Sequence, residues 1–308
     1  MKVPILLIAF NRANLTRQVF LKIREYKPER LYFAVNFPRN DTEALLTDEV
    51  KRIIDDIDWN CQVKTLFRES HLPLPISVSS AISWLFENEE MGIILEDDIL
   101  ADITFFRFCE YLLMEYRDNK AIGMISGDNF FFSNYHLKFS YYASNYFHIW
   151  GWATWRRAWN GYVLNGVEKS EIELVVKEKF KKDYEQNFWI ENLIKAFSGQ
   201  IPTWDYQWCF LNWKENRISL MPSRNLVSNI GFGYSATNTT SEKSVLSCMD
   251  IDPIHPPYTK PDRLIPSKVT EQFSRKMMFE IPFFEKAAFY ILRNLLKLLS
   301  RFVNRNGK

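Results

Sequence analysis

Glycine is scarce in this 308-residue chain, at ten residues, and neither a G-x-x-x-x-G-K-S/T loop nor a G-x-G-x-x-G turn occurs in it. Those absences argue against P-loop ATPases and dinucleotide dehydrogenases, whose backbones need glycine to close on phosphate. Cysteine is equally sparse. Cys61, Cys109, Cys209 and Cys248 stand far apart without a C-x-x-C pair, so a zinc knuckle or disulfide scaffold is not expected and reduced thiols are. No window of about 18 uncharged apolar residues is present, and the apolar opening at 5–10 is too short for a signal peptide or a span. A cytoplasmic protein is the expectation. An excess of one charge is also missing. The 39 Lys and Arg against 37 Asp and Glu leave +2, too little for a chain that wraps nucleic acid through many phosphate contacts.

Aromatic residues, by contrast, are abundant. The 25 Phe, 14 Tyr and 10 Trp make 16% of the chain, suited to sugar stacking, a membrane interface or an aromatic core. The first part alternates strand-patterned stretches (3–10, 31–36, 61–67, 92–95, 121–126), apolar at 3–10, 31–36 and 92–95, with helix-patterned ones (15–26 behind an N-cap at Asn14, 42–57, 77–88, 105–116). Strands separated by helices of this length predict βαβ units and a mainly parallel sheet flanked by helices. Three regions are expected: 1–130 for nucleotide-sugar binding, 131–250 as an aromatic-rich acceptor side, and 251–308 as a Pro-rich linker and C-terminal helix. One charged helix is expected over about 168–195 and a mobile loop over 225–243. Residues 283–303 pattern as an amphipathic helix with Arg293, Lys297 and Arg301 in one stripe, the composition of a helix lying on an anionic membrane or on a partner. From residue 260 onward eleven Lys and Arg face four acids.

The sharpest chemical signal is Glu96-Asp97-Asp98, directly after the apolar run 92–95. In open α/β sheets ligands sit beyond the carboxyl ends of the strands. Three adjacent carboxylates at such a place need a compensating cation, and Mn²⁺ or Mg²⁺ takes carboxylate oxygens while sharing its remaining positions with phosphate and water. Asp205, between Trp204 and Trp208, is a carboxylate set among apolar side chains, where basicity rises.

Ile94-Leu95-Glu96-Asp97-Asp98 resembles the acidic DXD-type motif, in its E-D-D form, of GT-A-fold nucleotide-sugar glycosyltransferases. More specifically, residues 3–240 resemble N-acetylglucosaminyltransferase I and its bacterial relatives, in four further places and in the same order. These are Pro4-Ile5-Leu6-Leu7-Ile8-Ala9-Phe10-Asn11-Arg12, Ile125-Ser126-Gly127-Asp128-Asn129, Trp150-Gly151-Trp152-Ala153-Thr154-Trp155, and Thr203-Trp204-Asp205 with Trp208. The resemblance implies a GT-A (Rossmann-like) fold and a metal-dependent inverting transfer. A sugar, N-acetylglucosamine or a related hexose, would move from a UDP donor to a glycan or lipid-linked oligosaccharide hydroxyl in surface-polysaccharide assembly at the inner face of the cell membrane. It further implies that Asp98 ligates Mn²⁺ or Mg²⁺, Asp97 approaches the ribose and Glu96 the donor sugar. Arg12 would sit by the diphosphate, Asn36 and Arg39 by the nucleotide, and Trp152 in the donor-side aromatic segment. Gly231 and Gly233 would hinge a closing loop, and Asp205 would be the general base. Asn36 stands where relatives carry the Asp that contacts uracil, and Asn238 where bacterial relatives carry a His. His148 is open to a ligand or a structural role. Rival readings are a sugar nucleotidyltransferase, a glycosidase using Asp98 and Asp205, and a non-catalytic glycan-binding protein.

Overall fold

The computed structural model describes residues 2–131, 137–232 and 249–275, apart from the side chain of Phe273. Apolar runs without alternation become strands buried on both faces, as the central strands of a helix-covered parallel sheet must be. The first half alternates strands with helices: β1 (Ile5–Ala9), α1 (Ala13–Tyr26), β2 (Arg30–Val35), α2 (Asp41–Lys51), β3 (Gln62–Phe67), α3 (Leu74–Asn88), β4 (Met91–Glu96), β5 (Ile99–Ala101), α4 (Ile103–Glu115) and β6 (Ile122–Ser126), with β1, β2, β4 and β6 of this buried kind and β3 an exposed, mixed-polarity strand at the sheet edge. Then come β7 (Tyr141–Ser144), β8 (Trp152–Trp155), α5 (Arg156–Trp159), α6 (Lys169–Lys179), α7 (Asp183–Phe197), α8 (Asp205–Lys214), β9 (Ile218–Pro222), β10 (Val227–Asn229) and α9 (Lys268–Arg275).

Eight strands form one sheet in the order β3-β2-β1-β4-β8-β6-β9-β7. Six run the same way, while β8 and β7 oppose their neighbours. The fold is α/β and Rossmann-like. Strand parity divides the core. Ile5, Leu7 and Ala9 face α1 and α4 through Val19, Phe20, Ile23 and Phe105. Leu6 and Ile8 face α3 and the later helices through Ile82, Leu85, Trp189 and Trp208. Most of the tryptophans are here: Trp152 stacks on Trp204 at 5.7 Å and tilts against Trp208 at 5.5 Å, and Trp159 stacks on Tyr162 at 4.3 Å.

Three local expectations are corrected. The first helix is capped by Arg12 rather than Asn14, with no side-chain cap bond, because the Arg12 side chain is drawn to the acidic strand end. The stretch 168–195 is two helices, not one. Phe180 breaks it in an extended conformation, buried against Trp189 and Trp213, with its carbonyl accepting from Gln186 Nε2 at 2.7 Å. The Pro-rich stretch after residue 251 is laid along the body, with Tyr258 packed on Phe108 and Tyr111 and Thr259 exchanging backbone and hydroxyl bonds with Ser140. The proposed helix at 283–303, Gly233, Asn238 and Cys248 lie outside the described residues. Among the described residues no helix is long and apolar enough to cross a membrane.

Candidate active site

The carboxyl ends of β1, β2 and β4 open at one edge of the sheet, and the antiparallel β8 begins there, Trp152 pairing with Ile94 and Ser126. A cavity of about 690 Å³ occupies that edge, lined by Phe10, Asn11 and Arg12 after β1, Asn36 and Arg39 after β2, Glu96 at the end of β4, and Asp97 and Asp98 after it. Its far wall is Ile149 and Trp150 ahead of β8, Ile201 to Tyr206 at the start of α8, and Asn229. The size suits a ligand of several hundred daltons, and the sheet edge is where α/β proteins bind them.

Asp97 is buried, while Glu96 and Asp98 are partly exposed. Arg12 is their counter-ion: Nε donates to Asp97 Oδ2 at 3.3 Å, one terminal nitrogen reaches Asp97 Oδ1, and that nitrogen lies 3.0 Å from Asp98 Oδ2. Burial alone would lower the guanidinium pKa, but the paired carboxylates raise it on balance. Burial holds Glu96 well above the usual carboxylate range, reinforced by Asp98, Asp97 and, more weakly, Asp205. Asp97 is raised by burial too, against the opposing pull of Arg12. The triplet continues into a tight turn and then β5, which pairs antiparallel with β10, Ile99 opposite Asn229. That pairing brings Ile230 N–H onto the Asp98 carbonyl at 2.9 Å and lays Gly231 against the Asp98 side chain. A Cβ on Gly231 would stand 2.1 Å from Asp98 Oδ2, so only glycine lets this backbone pass the carboxylate undisturbed.

Asp205 opens α8, where its carboxylate accepts from the hydroxyl of Thr203. Burial raises its pKa, while Thr203 and the N–H groups of Asp205 and Tyr206 pull it back. The pattern is that of a carboxylate kept ionisable yet more basic than one in water.

The other expected residues fall out differently. Arg39 reaches the cavity rim but is paired bidentately with Glu43, through Nε and a terminal nitrogen. Asn36 is engaged within its own loop: Oδ1 accepts from Phe37 N at 3.0 Å and Leu72 N at 3.1 Å, and Nδ2 donates to Leu72 O at 2.8 Å. Trp152 is fully buried in the tryptophan cluster. From this tryptophan segment it is Trp150 that lines the cavity, edge-on to Phe232 at 5.6 Å and to Phe130 at 6.0 Å. The left-handed Gly151, at φ 62°, turns the chain between these two tryptophans. His148 packs into the fold: its carbonyl accepts from Ser126 Oγ at 2.8 Å and its ring meets Phe130 at 4.4 Å, with burial lowering its pKa to about 3. Sequence reasoning missed Asn229, His71 and Thr203 as cavity residues. The Thr-x-Asp spacing at 203–205 was a usable signal for the last.

Behind Trp150 lies Asp128, wholly buried, its Oδ2 accepting from Trp150 N–H at 3.1 Å and its Oδ1 without a partner. Burial raises its pKa well above the usual range. The folded state therefore keeps a proton that an unfolded Asp releases above about pH 4, and stability falls as pH rises from there toward the folded-state pKa. Asp128→Asn, already neutral, is expected to melt above wild type at pH 8 by about 1–3 kcal/mol of relieved burial, the gap closing near pH 4. Thermal melts at the two pH values check this; a gap independent of pH would refute it.

Among the described residues no group of three or more His, Cys, Asp or Glu stands placed to cage a metal ion. The oxygen donor on that cavity wall is the Asp98 carboxylate, one oxygen of which lies 3.0 Å from an Arg12 nitrogen.

No protein-family model matches the chain, and no curated protein matches it. Among solved structures it is similar in part to HddC from Yersinia pseudotuberculosis, at 7% identity and TM-score 0.31 over 50% of this chain and 77% of that one. The same protein complexed with GMP-PN gives 8% identity and TM-score 0.29, over 46% and 60% of the two chains. UDP-glucose pyrophosphorylase complexed with UDP-glucose gives 11% and 0.26, over 41% of this chain and 56% of that one. Likenesses at this level carry no activity or ligand over to this chain.

Proposed function

We propose that the chain is a nucleotide-sugar enzyme, and specifically an inverting, metal-dependent glycosyltransferase that moves a hexose such as N-acetylglucosamine from UDP to a glycan hydroxyl. The observation that carries this reading is one cavity lined by both an acidic strand end and the carboxylate of Asp205, whose pKa burial raises. Asp205 takes the proton of the acceptor hydroxyl as that oxygen attacks the anomeric carbon. The new glycosidic C–O bond forms as the bond from the anomeric carbon to the diphosphate breaks on the opposite face. Arg12 lies where its charge offsets that of the departing diphosphate. A divalent cation at Asp98 would supply Lewis-acid neutralisation of the same leaving group. Trp150, Ile149 and Tyr206 offer apolar surface for a sugar ring. A lipid-linked acceptor would suit the basic amphipathic pattern of 283–303, which we propose as a membrane-surface or partner contact.

A sugar nucleotidyltransferase would occupy the same sheet edge and use the same cation, and it is the strongest rival. Asp205 separates the two, because attack by a phosphate oxygen needs no carboxylate to remove a hydroxyl proton. Supplying UDP-N-acetylglucosamine or UDP-glucose with Mn²⁺ and glycan acceptors should release UDP. Pyrophosphate from UTP and a sugar 1-phosphate, with no UDP release from the nucleotide sugars, would decide for the rival.

A further inference from the structure

The carboxyl ends of β2 and β3 lie two and three strands from that of β4, about 10 and 14 Å at ordinary strand spacing. A nucleoside diphosphate with its phosphates at Asp98 therefore places its base over the loops that follow β1, β2 and β3. The cavity walls there are Phe10, Asn36, Arg39, His71 and Leu72. Asn36, at the position expected to read the base, already uses both side-chain polar atoms on Phe37 and Leu72. It pins the two loops together and is a support, not a reader. Arg39 is turned to Glu43 while its guanidinium carbon lies 5.6 Å from the Phe10 ring centre.

His71 is different. It is exposed, yet its ring is fixed from two sides. Nδ1 lies 2.6 Å from the carbonyl oxygen of Phe37, and the ring centre is 5.5 Å from that of Phe10, tilted by 55°. A carbonyl oxygen only accepts, so Nδ1 carries the proton and donates. In the neutral ring Nε2 is then an acceptor on the opposite edge.

Building on the nucleotide-sugar reading above, we infer that His71 is a base-specificity residue, its Nε2 accepting the N3–H of a uracil ring packed beside Phe10. Uracil presents a donor at N3; cytosine presents an acceptor there and meets an unpaired lone pair. The preference for uridine over cytidine thus comes from a tautomer fixed by the Phe37 carbonyl. Because His71 is exposed, its replacement is expected to leave the sheet intact.

Calorimetric titration of the full chain with UDP and with CDP, both in Mn²⁺, tests this. Wild type should favour UDP by about tenfold, the worth of one good hydrogen bond. His71→Phe should bind UDP as weakly as wild type binds CDP, with CDP affinity unchanged and an unaltered melting temperature. A UDP preference that persists in His71→Phe overturns the inference and leaves the nucleotide-sugar reading standing. Wild-type protein that binds neither nucleotide overturns both.

Discussion

Asp205→Asn is expected to cut sugar transfer by roughly 10²–10⁴, the usual contribution of a positioned base, while UDP-sugar affinity stays at the wild-type level. The amide keeps the volume of the carboxylate and can still accept from Thr203, so the start of α8 is preserved; what is lost is the lone pair basic enough to take the acceptor proton. The pH profile carries the same signature. A base works only when ionised, so rate falls as pH drops through its pKa. Because burial raises that pKa, the acid limb is expected above the ordinary Asp value of about 3.9. Thr203→Val removes a hydrogen bond that favours the anion and should move the limb higher still, with Thr203→Ser restoring it. Steady-state rates across pH check this, and an Asp205→Asn enzyme with near-wild-type turnover would remove Asp205 from the chemistry.

Arg12→Met should be the most destabilising substitution at the site, by about 3–5 kcal/mol, because it leaves a buried carboxylate without its charge partner. Asp97 has a side chain 5% exposed and Arg12 one 22% exposed, so solvent cannot replace the lost guanidinium at Asp97 as it could at the surface. Arg12→Lys keeps the charge but loses the fork that meets Asp97 with two nitrogens and Asp98 with one of them, and should fall between Met and wild type. Urea denaturation of the three proteins measures the series. Equal midpoints for Met and wild type would mean that the triplet needs no internal cation.

The βα alternation was legible because β1, β2, β4 and β6 are nearly uninterrupted apolar runs, the pattern of a strand buried on both faces. The acidic strand end was legible for the same reason: charge following such a run stands at the sheet edge. Less visible were the segments whose pairing lies far away in sequence. The three-residue strand β5 has too little length for a periodicity and exists only because β10 meets it. Asn36 gave no hint that its amide closes on Leu72, since a side chain's hydrogen-bond partners are set by a loop 36 positions on. The tryptophans were ambiguous by composition alone. Trp152 starts a strand and is buried, while Trp150, two residues earlier and before a left-handed glycine, faces the cavity. The break at Phe180 was hidden by charged neighbours on either side that suit helix equally well.

The central claim is that Asp98 shares a divalent cation with the diphosphate of a bound uridine nucleotide. Titrating UDP into the wild-type chain and into Asp98→Ala, each with Mn²⁺ and with excess chelator, tests it most directly. The expected result is tight binding by wild type with Mn²⁺, much weaker binding in chelator, and an Asp98→Ala protein indifferent to the metal. Equal UDP affinity in wild type with and without Mn²⁺, or an Mn²⁺ requirement that survives Asp98→Ala, would contradict it.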